Sequence, residues 1–175
     1  MQRLFLIGPM GAGKTTLGKL IARELDYQFI DSDRVIEERT GVSIPTIFDI
    51  EGEAGFRERE SRIIDELTQL DNTVLATGGG AILRPENRDW LHDRGFVVYL
   101  KVSIRQQLER TSRDRSRPLL QTPDPAATLT EMAKLRAPLY ETTAHFSINT
   151  NHSRTRTLKN KIIAAFEATA ETIEQ

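Results

Sequence analysis

The chain has 175 residues, which is enough for one well-buried core and too few for two full-sized domains. Its 24 basic and 25 acidic residues give a formal net charge of −1, so we expect neither nucleic acid nor an anionic membrane as a partner. The absence of cysteine excludes disulfides, thiol catalysis and thiolate metal sites. With no leader-like start and no membrane-length apolar run, we expect one cytoplasmic domain over residues 1–175, and a monomer because no exposed apolar stripe is indicated.

Apolar, strand-like runs alternate with helical patterns along the chain. The predicted strands are Arg3–Ile7, Gln28–Asp31, Thr73–Thr77, Phe96–Lys101 and His145–Asn149. The predicted helices are Lys14–Asp26, Asp33–Thr40, Ser43–Ile50, Gly52–Leu70, Pro85–Arg94, Ser103–Thr111, Pro125–Thr143 and Arg154–Thr172. Pro138 is expected to kink or interrupt its helix. The alternation predicts a parallel sheet covered on both faces, with ligands beyond the carboxyl ends of its strands.

The first strand leads directly into a complete phosphate-binding loop. Residues 8–15 read G-P-M-G-A-G-K-T, and an amphipathic helix pattern follows them. Glycines let main-chain N–H groups turn inward around phosphates, and the helix adds its positive N-terminal end. Lys14 is expected to reach the β- and γ-phosphates, and the Thr15 hydroxyl to ligate Mg²⁺. The loop and its flanks predict binding of a nucleoside triphosphate.

Two carboxylates, Asp31 and Asp33, close the second predicted strand. They repel each other unless a positive group or a proton donor lies between them, and a metal ion together with a substrate hydroxyl would satisfy both. The alternative is an ordinary turn in which Asp33 caps the following helix. The third strand ends in Thr77 without an acidic residue, so the second metal contact falls to Asp31 or to a water held by Thr77.

Three consecutive glycines, Gly78 to Gly80, follow that strand. They cost backbone entropy and contribute no packing, which indicates the close approach of a substrate or a phosphate, with a flexible hinge as the alternative. Arg57 and Glu60 share one face of a long helix and could be a surface ion pair. The same surface interpretation applies to Arg136.

Two segments are interpreted as insertions. Residues 33–61 hold more helix than one crossover needs and suit a platform for a second substrate, whereas polar residues 112–124 suit a mobile lid. Basic residues are concentrated over residues 110–117, which overlap the start of this lid, at Arg110, Arg113, Arg115 and Arg117. They could close over a triphosphate, or form a solvated loop or a nucleic-acid patch, although the run lacks aromatic residues for base stacking.

Together these motifs resemble shikimate kinase, a family of small phosphate-loop kinases of chorismate biosynthesis. The resemblance covers roughly residues 3–155 and rests on Gly8–Thr15, Asp31–Asp33, Phe56-Arg57 with Glu60, Gly78–Gly80, Arg117–Leu120 and Arg136–Tyr140. It implies a three-layer α/β P-loop kinase fold whose five-stranded parallel sheet has the order 2-3-1-4-5. It also implies transfer of the ATP γ-phosphate to the 3-hydroxyl of shikimate, with Mg²⁺ as cofactor.

By this resemblance, Thr15 and, through a water molecule, Asp31 would position Mg²⁺. Arg117 would stabilise the transition state from the lid. The residues implied in ATP binding are Gly11, Ala12, Gly13, Lys14, Thr15, Thr16, Arg110, Arg117 and Arg154. The family commonly adds a proline soon after the adenine-side arginine, and residues 151–155 lack one, which leaves the adenine contacts open.

The substrate side is implied in the same way. Asp33 would bind the attacking hydroxyl and act as its base, and Lys14 would assist catalysis at the phosphates. Arg57 and Arg136 would hold the substrate carboxylate. The remaining contacts to the ring of shikimate are implied for Gly79 and Gly80.

Two other functions fit parts of the pattern. A kinase of another small metabolite, such as gluconate, or of a nucleoside monophosphate would need the same loop and sheet. A GTPase-type switch would account for the D-x-x-G match at residues 49–52, but the chain has no N-K-x-D guanine motif. A non-enzymatic ATP-binding scaffold would leave the carboxylates and arginines without a purpose.

Overall fold

A computed structural model describes residues 3–112 and 120–173, with side chains given as far as residue 169. The strands are β1 (Arg3–Ile7), β2 (Gln28–Asp31), β3 (Thr73–Ala76), β4 (Phe96–Lys101) and β5 (Phe146–Asn149). The helices are α1 (Lys14–Leu25), α2 (Ser32–Thr40), α3 (Ile44–Leu67), α4 (Pro85–Arg94), α5 (Ile104–Thr111), α6 (Pro125–Thr143) and α7 (Thr155–Ile173), with a short 3-10 turn at Ala81–Leu83.

All the strands pair in parallel in the order β2-β3-β1-β4-β5, which confirms the predicted sheet. Two strand ends differ by one residue from prediction, since β3 stops at Ala76 and β5 starts at Phe146. Thr77 and His145 lie just outside the strands but still donate backbone hydrogen bonds to Leu6 and Val97, respectively.

The core lies in two apolar layers, one on each face of the sheet. Phe5 and Ile7 of β1 pack in one layer with buried residues of α3 and α4. Leu4 and Leu6 pack in the other layer with α1 and α7. Because side chains alternate along a strand, a strand that is apolar throughout is buried on both faces, as parallel sheets require.

Helix α3 joins the two helices predicted for residues 43–50 and 52–70. Gly52 interrupts the helical geometry with φ 71° and ψ −178°, a backbone conformation that side chains strongly disfavour. The chain therefore has a break where two helices were expected, and the second part ends at Leu67 rather than Leu70.

Helix α6 runs through Pro138 without interruption, so of the two outcomes expected at this proline, a kink or an interruption, the interruption is wrong. Proline removes the N–H that would bond to the carbonyl of Lys134, but both residues are exposed and water can satisfy that carbonyl. Among residues 3–112 and 120–173, no helix is long and apolar enough to cross a membrane.

Candidate active site

The loop between β1 and α1 has the geometry of a phosphate-binding loop. Gly8, Gly11 and Gly13 have φ values of 145°, 74° and 94°, which only glycine adopts readily. Gly13 precedes α1 without a capping side chain, so the amides of the first helical turn are available to an anion. The Lys14 ammonium donates to the carbonyls of Gly8 and Pro9 at 2.7 and 2.9 Å, which holds it over the loop.

A cavity of about 190 Å³ extends from this loop to the ends of β2 and β3. The structure thus brings together motifs that lie far apart in the sequence. The predicted site residues that line this cavity are Gly11, Gly13, Lys14, Thr15, Thr16, Asp31, Asp33 and Gly79.

Asp31 uses its two carboxylate oxygens for different partners. Oδ1 accepts from the backbone N–H groups of Asp33 and Arg34 at 3.1 and 3.4 Å, and so caps α2. Oδ2 accepts from the Thr15 hydroxyl at 2.9 Å. The capping alternative for Asp33 is therefore wrong, because α2 begins at Ser32 and Asp31 is its cap.

The glycines after β3 lie against charged side chains of α2 and α3. A β-carbon at Gly78 would lie 2.6 Å from Oδ1 of Asp33 and 2.7 Å from Oε1 of Glu60. A β-carbon at Gly80 would lie 2.1 Å from Nη2 of Arg57. Real β-carbon contacts are not this short, so neither position accepts a larger residue without displacing its neighbour. This packing argues against the hinge alternative.

Gly79 lies between the phosphate-binding loop and Arg136. A β-carbon there would be 3.5 Å from the Gly8 carbonyl oxygen and from the Met10 amide nitrogen, and 3.7 Å from Nη1 of Arg136. A ligand held at Gly79 would therefore be close to both the loop and this guanidinium.

Arg57 and Glu60 form a buried ion pair, which makes the surface interpretation wrong. The Arg57 Nη1 donates to Glu60 Oε2 at 2.6 Å, and the Glu60 side chain is 1% exposed. Burial lowers the pKa of Arg57, but the charges of Glu60 and of half-exposed Glu53 outweigh burial and raise it. Burial, followed by the charge of Asp33, outweighs Arg57 and raises the pKa of Glu60 to about 7.

Arg136 is buried as well, so the surface interpretation is wrong for this residue too. Burial, and to a smaller extent the charge of Arg57, lowers the pKa of Arg136. Its Nε has no hydrogen-bond partner within the described part of the chain. Two buried guanidinium groups near each other favour an anion between them, and a carboxylate fits their planar donors.

Two residues near the site received no role from the sequence. Glu60 lies four residues after Phe56 and four before Ile64, so it occupies the apolar face of α3, and that spacing is a signal of its burial. Tyr140 is 2% exposed and donates from its hydroxyl to the carbonyl of Gly79 at 2.5 Å. No local pattern indicates that contact, because it joins positions 61 residues apart.

A second cavity, of about 260 Å³, adjoins the other side of the loop. It is lined by Ala12, Gly13, Thr16, Leu17, Arg110, Thr150, Ser153, Thr155 and Leu158. Arg110 donates to the carbonyls of Gly11 and Thr150 at 2.8 and 3.3 Å, and so joins the loop to the segment before α7. Arg154 is exposed and is not part of this lining. Arg117 and most of the predicted lid lie outside the described residues.

The acidic and hydroxyl groups fit Mg²⁺. Thr15 Oγ1 and Asp31 Oδ2 are oxygen donors of the kind that Mg²⁺ prefers. In enzymes this cation usually keeps several water ligands and is bound by one or two protein oxygens together with the phosphates of the substrate. Across residues 3–112 and 120–173, no group of three or more His, Asp or Glu side chains is placed to hold a metal ion. The arrangement suits a cation that arrives with a nucleotide.

Comparison with known proteins agrees with this geometry. The family model for shikimate kinase matches residues 10–167. Shikimate kinase from Methylococcus capsulatus is 52% identical over 95% of this chain and 93% of its own length. Shikimate kinase from Legionella pneumophila is 54% identical over 93% of each chain.

A solved structure extends the comparison to three dimensions. Shikimate kinase from Acinetobacter baumannii in complex with shikimate superposes with a TM-score of 0.94 at 48% identity. The match covers 97% of this chain and 94% of that one. Because the family model and these relatives span nearly the whole sequence, the chain belongs to the shikimate kinase family.

Proposed function

We propose that this protein transfers the γ-phosphate of ATP to the 3-hydroxyl of shikimate, which yields shikimate 3-phosphate and ADP in aromatic amino-acid biosynthesis. The observation that carries the proposal is the shared cavity in which Asp33 faces the phosphate-binding loop. Beside that cavity, Arg57 and Arg136 provide two buried positive charges for the carboxylate of an acidic sugar-like substrate.

In this mechanism the loop amides and Lys14 hold the β- and γ-phosphates, and Arg110 holds the loop from the nucleotide side. Thr15 and, through water, Asp31 would hold Mg²⁺, which when bound neutralises phosphate charge. Asp33 would orient the substrate hydroxyl in line with the γ-phosphate and accept its proton as the new O–P bond forms. The bond between the γ-phosphorus and the β,γ-bridging oxygen breaks in the same transfer, and that oxygen leaves with the electron pair as part of ADP.

Substrate binding would depend on the other side of the cavity. Arg57 and Arg136 would fix the carboxylate, and Gly79 and Gly80 would allow the ring to approach the backbone closely. Arg117 would reach the transferring phosphoryl group from the lid, residues 112–124, which would also exclude water. Residues 33–61 would form the substrate platform of a single domain spanning residues 1–175.

We also propose that the enzyme acts as a cytoplasmic monomer without nucleic-acid or membrane partners. The balanced charge and the cysteine-free sequence support this proposal. We propose that Arg154 contacts the nucleotide, because its neighbours Ser153 and Thr155 line the second cavity.

A coupled ADP-release assay tests the function directly. Shikimate, gluconate and AMP are offered side by side with ATP, each with and without Mg²⁺. We expect ADP release to depend on shikimate and on Mg²⁺. Faster release with gluconate or AMP than with shikimate would overturn the proposal.

A further inference from the structure

Tyr140 of α6 makes a direct contact with the glycine run that follows β3. Its hydroxyl donates to the carbonyl of Gly79 at 2.5 Å. Its ring stacks on Tyr99 of β4, with centroids 4.8 Å apart and an angle of 22° between the planes. The stacked ring fixes the position of the hydroxyl, and the hydroxyl fixes the position of the Gly79 carbonyl.

The phenol is held in the form that donates this hydrogen bond. Burial raises the pKa of Tyr140, and the nearby guanidinium of Arg136 offsets only part of that rise. The side chain therefore keeps its proton wherever the protein works. The carbonyl of Gly79 has a permanent donor as a result.

The orientation of this carbonyl determines the direction of the next amide. In a trans peptide the C=O of Gly79 and the N–H of Gly80 point in opposite directions. With its carbonyl held by Tyr140, the peptide turns the Gly80 N–H away from α6. Within the described residues, neither the Gly79 nor the Gly80 N–H donates to another group; Gly79 lines the cavity at the phosphate-binding loop, and Gly80 is buried against the guanidinium of Arg57.

The same tyrosine lies beside Arg136, the proposed carboxylate ligand. Tyr140 and Arg136 are one helical turn apart on α6, and both line a small cavity of about 50 Å³ next to Pro9 and Met10 of the loop. One side chain thus contacts the glycine backbone and lies against the guanidinium.

We propose that Tyr140 is a positioning residue for the acceptor: it aims the Gly80 N–H and supports Arg136 so that both meet the same bound substrate. The proposal rests on the proposed function, because the substrate must lie between these two groups. It concerns shikimate binding and does not involve the nucleotide.

The test compares Tyr140→Phe with Tyr99→Phe. Phenylalanine keeps the stacked ring at either position, and the Tyr99 hydroxyl makes no hydrogen bond to a described residue. For Tyr140→Phe we expect the KM for shikimate to rise about threefold to tenfold, the effect of one hydrogen bond, with the KM for ATP and kcat within about twofold. Tyr99→Phe should match the wild type in all three constants.

A merely structural role would give a different result. Equal changes in both KM values, accompanied by a lower melting temperature, would overturn the proposal, as would a shikimate KM that equals that of Tyr99→Phe. An inactive wild type would instead refute the proposed function, so the two failures are distinguishable.

A second measurement decides the matter if Tyr140→Phe does not fold. In the ¹⁵N-glycine-labelled wild type, the amide resonance of Gly80 should shift when shikimate is added. A Gly80 amide resonance that does not shift at saturating shikimate would refute the proposal.

Discussion

The guanidinium of Arg57 and the carboxylate of Glu60 form an ion pair in the protein interior, with Nη1 and Oε2 2.6 Å apart. The other Glu60 oxygen, Oε1, has no hydrogen-bond partner among the described residues and would lie 2.7 Å from a β-carbon at Gly78. Burial of a half-satisfied carboxylate costs free energy, and that cost depends on pH.

We expect Glu60 to make the wild type less stable as pH rises from 4.5 to about 7. Its pKa is raised from 4.5 to about 7, so the native state holds a proton that the unfolded chain releases in this range. The shift corresponds to a loss on the order of 3 kcal/mol, complete above the folded pKa. Urea unfolding of the wild type and of Glu60→Gln across this pH range measures the loss. The free energy of unfolding of the wild type minus that of Glu60→Gln should fall as pH rises.

The control for this prediction is Glu53→Gln. Glu53 contacts the same guanidinium at 3.2 Å, but its side chain is 48% exposed. The free energy of unfolding of Glu53→Gln, plotted against pH, should run parallel to that of the wild type. A constant difference between wild type and Glu60→Gln would contradict the prediction.

Asp33→Asn should lower kcat by about 10²-fold to 10⁴-fold or more, because the amide cannot accept the proton of the substrate hydroxyl. The affinity for ATP, measured by calorimetry, should stay within about twofold, since the phosphate-binding loop is unchanged. The control is Asp49→Asn, an exposed carboxylate in the D-x-x-G match, and we expect it to retain wild-type turnover. Retained turnover in Asp33→Asn would remove this residue as the base.

Two substitutions at Asp31 should separate its two contacts. Asparagine retains an oxygen that caps α2 but loses the negative charge, so Asp31→Asn should need more Mg²⁺ for half-maximal activity at an unchanged melting temperature. Asp31→Ala should show the same Mg²⁺ requirement and also lose about 1 kcal/mol of stability with the cap. An Asp31→Asn enzyme with a wild-type Mg²⁺ requirement would rule out the metal role.

Substitution of Arg110 and of Arg117 by alanine should change different kinetic constants. Arg110 donates to the Gly11 and Thr150 carbonyls, so Arg110→Ala should mainly raise the KM for ATP. Arg117→Ala should lower kcat by about 10²-fold to 10⁵-fold with a smaller effect on ATP affinity, as expected of a group that acts on the transition state. Steady-state kinetics with saturating shikimate measures both, and equal losses in binding and turnover for Arg117→Ala would contradict its role.

The parallel sheet could be predicted from the local alternation of strands and helices, whereas its strand order followed from the resemblance to shikimate kinase. The phosphate-binding loop, the pair Asp31 and Asp33 and the glycine run each follow a strand, and parallel strands bring their carboxyl ends to one edge, so Lys14, Asp31 and Gly79 were expected to meet there. They line one cavity in the structure. Their catalytic and binding roles stay predictions until they are measured.

Other features depend on contacts between distant parts of the chain. The spacing of Arg57 and Glu60 from each other fits a surface pair as well as a buried one, although the place of Glu60 on the apolar face of α3 indicates burial. The contacts of this pair with the glycines after β3 join distant parts of the chain. The hydrogen bond from Tyr140 to Gly79 has no local signature either. Helix ends were off by a few residues because capping, as at Asp31, competes with propensity.

The two carboxylate oxygens of Asp31 have different partners, so a substitution at this position affects two parts of the site. One oxygen starts α2, the helix that carries Asp33, and the other meets the hydroxyl of Thr15. Replacing this carboxylate would remove the cap of α2 and so loosen the helix that carries Asp33, the proposed base. If Asp31 contributes to Mg²⁺ binding as proposed, a substitution that alters ion preference would therefore also alter the placement of Asp33.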